Sequence, residues 1–380
     1  MYNRFIHDRM VIEVKVKGYS FASYDCVDVV SKNYEMLSIP YRLIRSFEVT
    51  LNDIALELMD GSVVIRIPKA REVIHALKRR GIKEIKYPFS LSSIIFLSSL
   101  MVFILIVTAT LFMGPAQNIT IAFMSLAIFY LGLIIGNTLN FSLLTYSHTE
   151  VPKEIEEKVR KYSGILKLKC TPSVVMSKLL TREFSAGVVP LTNSIIFVWL
   201  PKDEKAAEYV IVHELVHLKK RHGLKSIIAI FIVIAVTYLV SLLLNHLRTP
   251  IGLGFTVVLT LTMVALLSIM ALSYYQELEA HLIANELLGH KYFNSWVGYR
   301  LRLIEKGMKL LHELGIGKDV VISKLEVVER PKSIVERLKV WLRNYPHPPT
   351  YFVMRVRERG YVSSFKFIGL VIKDILGLDY

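Results

Sequence analysis

Four stretches without a single charged side chain constrain this chain more than any other feature. They cover residues 89–113, 119–146, 226–244 and 251–276. Each approaches or exceeds the roughly 18–20 residues that cross a hydrocarbon core as a helix. A soluble helix is rarely apolar on every face over such a length. The expected fold is therefore an α-helical membrane protein with four transmembrane helices. Composition agrees: 53% of the 380 residues are hydrophobic and the mean hydropathy is +0.44. Residues 1–9 carry no apolar core of a signal peptide.

The basic residues orient these spans. Lys78, Arg79, Arg80, Lys83 and Lys86 precede the first, Lys153, Lys158, Arg160 and Lys161 follow the second, and Lys219, Lys220, Arg221 and Lys225 precede the third. The opposite loops, 114–118 and 245–250, hold one charge between them, Arg248. The positive-inside rule then places both termini in the cytosol of a multi-pass cell-membrane protein. The net charge of +15 follows from this bias and from attraction to anionic lipid headgroups. No base-stacking or groove-reading motif accompanies that charge, so nucleic acid is not an expected partner. Cys26 and Cys170 both fall in cytosolic segments, where no disulfide is expected.

The spans divide the chain into a cytosolic N-terminal α+β domain (1–87), a transmembrane hairpin (88–147), a cytosolic catalytic segment (148–223), a second hairpin (224–273) and a cytosolic helical segment (274–380). In the first, residues 11–17 alternate as a strand does. Residues 54–58 and 63–67 flank Asp60-Gly61 as a hairpin, and a helix follows Pro68. Strands closed by one helix resemble a small pleckstrin-homology-like barrel over residues 35–80; an unrelated α+β cap fits as well. In the catalytic segment, residues 152–162 read as a helix, and 173–177 and 194–199 as strands.

His213-Glu214-Leu215-Val216-His217 is an HExxH sequence in a helix-prone apolar run. Residues i and i+4 share a helix face, so both imidazoles can bind one metal ion. Glu214 is rotated about 100° from His213 and can serve as general base. One zinc ion per chain is the expected cofactor. HExxH supplies only two ligands. The third and fourth spans are joined by six residues, so they run antiparallel and return the chain to the same face at Glu277. A carboxylate there completes a His2Glu site with one open position, as catalytic zinc requires. His281 stands at i+4 from Glu277, so it too can reach the metal, and a three-His site is chemically sound.

Residues 150–290 resemble the HtpX and CAAX-prenyl-protease group of membrane zinc metalloproteases. The resemblance rests on Phe184-Ser185-Ala186-Gly187, on residues 195–200, on Asp203-Glu204, on HExxH with Lys219-Lys220-Arg221-His222 after it, and on an E-x-x-x-D-like motif beyond two spans. It implies His213, His217 and Glu277 as ligands and Glu214 as base. His281 replaces the family aspartate that orients ligands. His347-Pro348-Pro349 and Arg355 are similar to a family His-Pro…Arg element, which implies oxyanion stabilisation by His347 and Arg355.

Together these readings describe a membrane zinc endopeptidase acting on membrane or misfolded proteins at the cytosolic face, in quality control. Ile195, Ile196 and Phe197 form the expected substrate-pairing strand. A prenyl-protein protease is one alternative; a zinc-site sensor or an inactive scaffold is another. The N-terminal domain is free to bind a partner or lipid. His222, five residues past His217, reads as a solvated helix end, and Glu279 as exposed or as a support for the ligands. Asn137 and Asn140 read as interhelical hydrogen bonders.

Overall fold

The computed structural model describes residues 12–31, 36–49, 52–58, 63–84, 148–177, 186–188, 193–197, 200–247, 251–315, 322–324, 330–344, 347–357, 360 and 362–379. The expected spans at 89–113 and 119–146 lie outside the described residues.

Among its described residues the N-terminal region holds two sheets, one α-helix and a short 3-10 turn at Tyr41–Leu43. Strands β2 (Gly18–Ala22), β3 (Cys26–Ser31) and β4 (Met36–Pro40) form an antiparallel three-stranded sheet. The larger sheet contains β1 (Ile12–Lys15), β5 (Ile44–Val49), β6 (Asp53–Leu58), β7 (Val63–Pro68) and β8 (Lys83–Glu84). The expected hairpin is present as β6 and β7, paired antiparallel from Asp53↔Pro68 to Glu57↔Val64. Helix α1 (Arg71–Arg79) buries Val73 and Leu77 against this core.

The sixth strand of that sheet comes from far along the chain. β13 (Ile322–Lys324) pairs antiparallel with β1, giving the order β13-β1-β7-β6-β5-β8. The core beneath the sheet also takes in Ala206, Tyr299, Leu303 and Leu311. The N-terminal region therefore shares both its sheet edge and its core with later elements.

A four-stranded sheet, β11-β12-β10-β9, precedes the central helices. Its strands are β9 (His148–Thr149), β10 (Ser173–Ser177), β11 (Ala186–Val188) and β12 (Ser194–Phe197). β12 lies between β10, parallel to it, and β11, antiparallel to it. Ile195, Ile196 and Phe197 are fully buried. This corrects the expectation that these residues pair with substrate, because neighbours already take both hydrogen-bonding edges of their strand. Among the described residues the edges of this sheet belong to β11 and to the two-residue β9.

Helix α2 (Lys153–Ile165) packs on α3 (Glu204–Lys220), which carries the HExxH sequence. Tyr162 donates a short hydrogen bond to Glu208, and Lys158 bridges Glu204 at 2.9 Å and Glu208 at 3.3 Å. Asp203 caps α3 by accepting from the Ala206 amide at 3.0 Å. The Ser295 hydroxyl donates to the same carboxylate at 2.6 Å, tying the cap to α6 (His290–Glu313).

Helices α4 (His222–His246) and α5 (Ile251–Leu288) form an antiparallel pair. Residues 222–244 make α4 long and apolar enough to cross a membrane. Phe231, Leu239 and Leu243 on α4 and Leu253, Met263 and Leu267 on α5 are exposed. α5 continues in one piece past residue 276, carrying Glu277 and His281 onto the HExxH helix. The chain ends in α7 (Ile334–Asn344), α8 (Thr350–Val356) and α9 (Ser364–Leu376). Cys26 and Cys170 are free thiols.

Candidate metal centre

The HExxH residues lie on a buried turn of α3, facing the first turns of α5 beyond its charge-free stretch. His213 Nε2 lies 3.2 Å from His217 Nε2 and 3.3 Å from Glu277 Oε2. His217 Nε2 lies 3.5 Å from Glu277 Oε1. A tetrahedral ion with metal–ligand bonds of about 2.0–2.1 Å needs ligand atoms about 3.3–3.4 Å apart. The two ring nitrogens and the Glu277 carboxylate, which offers Oε2 to His213 and Oε1 to His217, converge at close to that spacing, so the three groups suit a zinc ion.

The protonation states of His213 and Glu277 suit ligation, whereas the Glu277 carboxylate holds His217 up against the effect of its burial, so a metal there displaces a proton. Burial drives His213 down to about 4, outweighing the pull of Glu277 in the other direction. His213 is therefore neutral near pH 7, with a lone pair free to bind. Burial alone would raise Glu277, but His347, His217 and His213 hold it well below the usual carboxylate range. Zinc binding requires deprotonated ligands, and both of these already are. Glu214 is buried beside them. Desolvation pushes its carboxyl up to about 7, against the opposing charge of His217. A base poised near the working pH transfers protons in both directions most effectively.

His281 also reaches the cluster. His213, Glu277 and His281 offer ligand atoms within 4.8 Å of one another, and the His213 and His281 rings are 4.3 Å apart. The Tyr209 hydroxyl, however, lies 2.9 Å from His281 Nδ1 and 3.3 Å from its carbonyl oxygen. Tyr209 and Trp296 flank the His281 ring, with centroids 6.0 and 5.3 Å away. His213, His217 and Glu277 make the closest contacts of the cluster, and His281 packs between Tyr209 and His213.

Sequence reasoning missed the role of His222 and the partner of Glu279. Both are buried, at 2% and 8% exposure. His222 Nδ1 lies 2.8 Å from His217 Nδ1, and His222 Nε2 lies 3.0 Å from Glu279 Oε2. Lys220 holds the other Glu279 oxygen at 2.9 Å. One proton arrangement satisfies the chain: His222 Nε2–H donates to Glu279, and His217 Nδ1–H donates to His222 Nδ1. That leaves the His217 Nε2 lone pair pointed at the metal position, the tautomer a ligand needs. A straight helix would put residue 222 about 140° away from residue 217. Arg221 breaks the helix instead, at φ 52° and ψ 43°, and turns His222 back under His217. A basic residue in that left-handed region gives no sequence signal.

The two residues expected to stabilise an oxyanion have different surroundings. His347 Nδ1 lies 2.8 Å from Glu277 Oε2, on the solvent side of the cluster. Arg355 is an exposed residue of α8; the guanidinium whose charge reaches His347 is that of Arg300 on α6.

Comparison with protein families places residues 171–315 on the model of peptidase family M48. That match contains β10, β12, the HExxH helix, Glu277 and His281. No curated protein and no solved structure shows significant similarity to the chain.

Proposed function

We propose, from the premise that residues 171–315 belong to peptidase family M48, that this protein is a membrane-embedded zinc endopeptidase. M48 peptidases are zinc metalloproteases, and the domain supports metallopeptidase activity. The reading is carried by one observation: two ring nitrogens 3.2 Å apart, each 3.3–3.5 Å from an oxygen of the Glu277 carboxylate, next to a buried carboxyl pushed up to about 7.

Zinc held by His213, His217 and Glu277 would supply Lewis-acid chemistry, acidifying water and polarising a carbonyl. Glu214 takes the proton of the attacking water and later passes it to the leaving amine. Burial keeps bulk water from levelling its basicity. Glu279 and His222 hold the His217 ring in place. The open edge of β11, packed against α3, is positioned to pair with an extended substrate backbone.

The charge-free stretch of α4, with α5 antiparallel to it, supports insertion in a membrane, and the Lys/Arg asymmetry supports four spans with the site in the cytosol. Substrates are then membrane or misfolded proteins presenting extended segments there, a quality-control role. The test is Glu214→Gln. It is expected to keep one zinc per chain while proteolysis falls at least about 10²–10⁴-fold, the usual contribution of a general base. Equal cleavage by variant and parent would refute the enzyme reading.

A further inference from the structure

Helices α7 and α9 each bury one face and leave the other apolar and uncovered. On α7, Ile334, Val335, Leu338 and Leu342 are 45–61% exposed, while Arg337, Val340 and Trp341 on the opposite face are buried. On α9, Phe365 is 88% exposed and Ile368, Ile372 and Leu376 are about half exposed, while Phe367, Leu370 and Asp374 are buried. Both helices follow the 3.6-residue period of an amphipathic helix, with the apolar stripe turned outward.

The buried faces are locked together. The Trp341 indole and the Tyr351 hydroxyl donate to Asp374 Oδ2 at 2.9 and 2.8 Å, and Arg330 pairs with Oδ1 at 3.0 Å. Arg337 donates from Nε to the Ile375 carbonyl at 2.9 Å and from Nη1 to the Pro331 and Lys332 carbonyls. Neither helix can turn its stripe inward without breaking this network.

Their position relative to the charge-free stretches of α4 and α5 is also fixed. Ser226, where the apolar run of α4 begins, donates to Gln276, where that of α5 ends, at 3.0 Å. The two residues immediately before Gln276 carry the C-terminal helices: Tyr274 donates to the Trp341 carbonyl and stacks edge-on with its ring, and the Tyr275 ring lies 5.8 Å from Phe367. The buried faces of α7 and α9 thus pack beside the point where the charge-free stretches of α4 and α5 end. Lys339, Lys366 and Lys373 are exposed on the same two helices, and Lys332 just before α7.

We propose that α7 and α9 lie in the headgroup region of the bilayer that α4 enters, as an in-plane platform beside the catalytic site. The proposal rests on the membrane reading of α4 and α5. Its occupant is lipid: the helices that carry the stripes pack at the end of the apolar run of α5, and their lysines match anionic headgroups. In-plane helices bury their apolar face about 5–10 Å into the headgroup and acyl boundary. Phe365 and its neighbours would occupy that depth.

Full-length protein carrying Cys26→Ser and Cys170→Ser in nanodiscs with anionic lipid tests this. Single nitroxide labels go at Phe365→Cys and Leu338→Cys, with Leu239→Cys in α4 as the lipid reference and Tyr19→Cys as the water reference. All four sites are exposed, so the substitutions leave the core intact. Labels at 365 and 338 are expected to favour dissolved oxygen over a water-soluble nickel chelate, as at 239, with the reverse at 19. If 365 and 338 behave like 19 while 239 stays lipid-facing, the platform is refuted and the span stands. If both are shielded from both reagents, protein covers the face and the proposal fails. A water-facing label at 239 removes the membrane reading and the platform with it.

Discussion

The N-terminal sheets and the HExxH site are both buried, but by opposite chemistry. Beneath the sheets lie Phe47, Ile54, Leu56, Leu58 and Ile65, none of them solvent-exposed. The few buried acids there are satisfied by hydroxyls: Ser23 and Ser38 donate to Asp28, and Ser46 donates to Glu57. The site instead packs His213, Glu214, His222, Glu279 and His281 at 2–9% exposure around Glu277. Burying ionisable groups is costly unless each has a partner, and two ring and carboxyl groups here are shifted to about 4 and about 7. One region is arranged for stability. The other keeps an unfavourable cluster whose geometry suits a metal, as functional sites tend to.

Removing a ligand should give the largest effect and separate the two regions most sharply. Glu277→Ala is expected to abolish stoichiometric zinc binding, because it takes away one vertex of the tetrahedron and the charge that favours a cation. His281→Ala should retain zinc and lose part of its activity. Metal analysis of both purified variants checks this, and zinc lost from His281→Ala but kept by Glu277→Ala would reverse the assignment.

The N-terminal counterpart is Phe47→Ala. Emptying a fully buried phenylalanine site typically costs about 3–5 kcal/mol. The core it shares with Ala206, Tyr299, Leu303 and Leu311 should spread that loss to the catalytic region. Urea unfolding followed by far-UV signal and by zinc release is expected to shift together. Zinc release at the parental midpoint, with only the sheet signal shifted, would show that the two regions unfold independently.

The cost of burying Glu214 is measurable through pH. Burial pushes its carboxyl up to about 7, above the ordinary glutamate value of about 4.5. Between those values the folded state holds a proton that the unfolded state has lost, so stability falls as pH rises from about 4.5 to 7 and levels off above. Glu214→Gln lacks this proton. In metal-free protein it should match the parent near pH 4.5 and exceed it by about 3 kcal/mol at pH 8, at roughly 1.4 kcal/mol per pH unit. Parallel stability profiles for the two proteins would show that Glu214 is not desolvated.

Local rules made part of this legible in the sequence. The i, i+4 spacing placed His213 and His217 on one helix face, the short 245–250 connection returned Glu277 to them, and Asp60-Gly61 marked the hairpin. What stayed hidden was non-local. The pairing of β13 with β1 spans about 300 residues and carries no local signature. The interior position of β12 depends on sheet order, and a buried strand reads the same in the middle of a sheet as at its edge. His222 was misread because the helix rule was applied across Arg221, where the backbone leaves the helix.

That misreading yields the smallest and most diagnostic effect. The Glu279–His222–His217 chain fixes a tautomer without touching the metal position, so breaking it should weaken zinc without abolishing it. Loss of an outer hydrogen-bond partner usually costs about 10–100-fold in metal affinity or activity. His222→Ala and Glu279→Gln should both fall in that range by zinc-chelator competition. His222→Asn should recover part of the loss, since its carbonyl oxygen can accept from His217 Nδ1–H. A double variant, His222→Ala with Glu279→Gln, should be no worse than His222→Ala alone, because both substitutions break the same chain. Full additivity would mean that the two residues act separately and that His222 only fills space beneath His217.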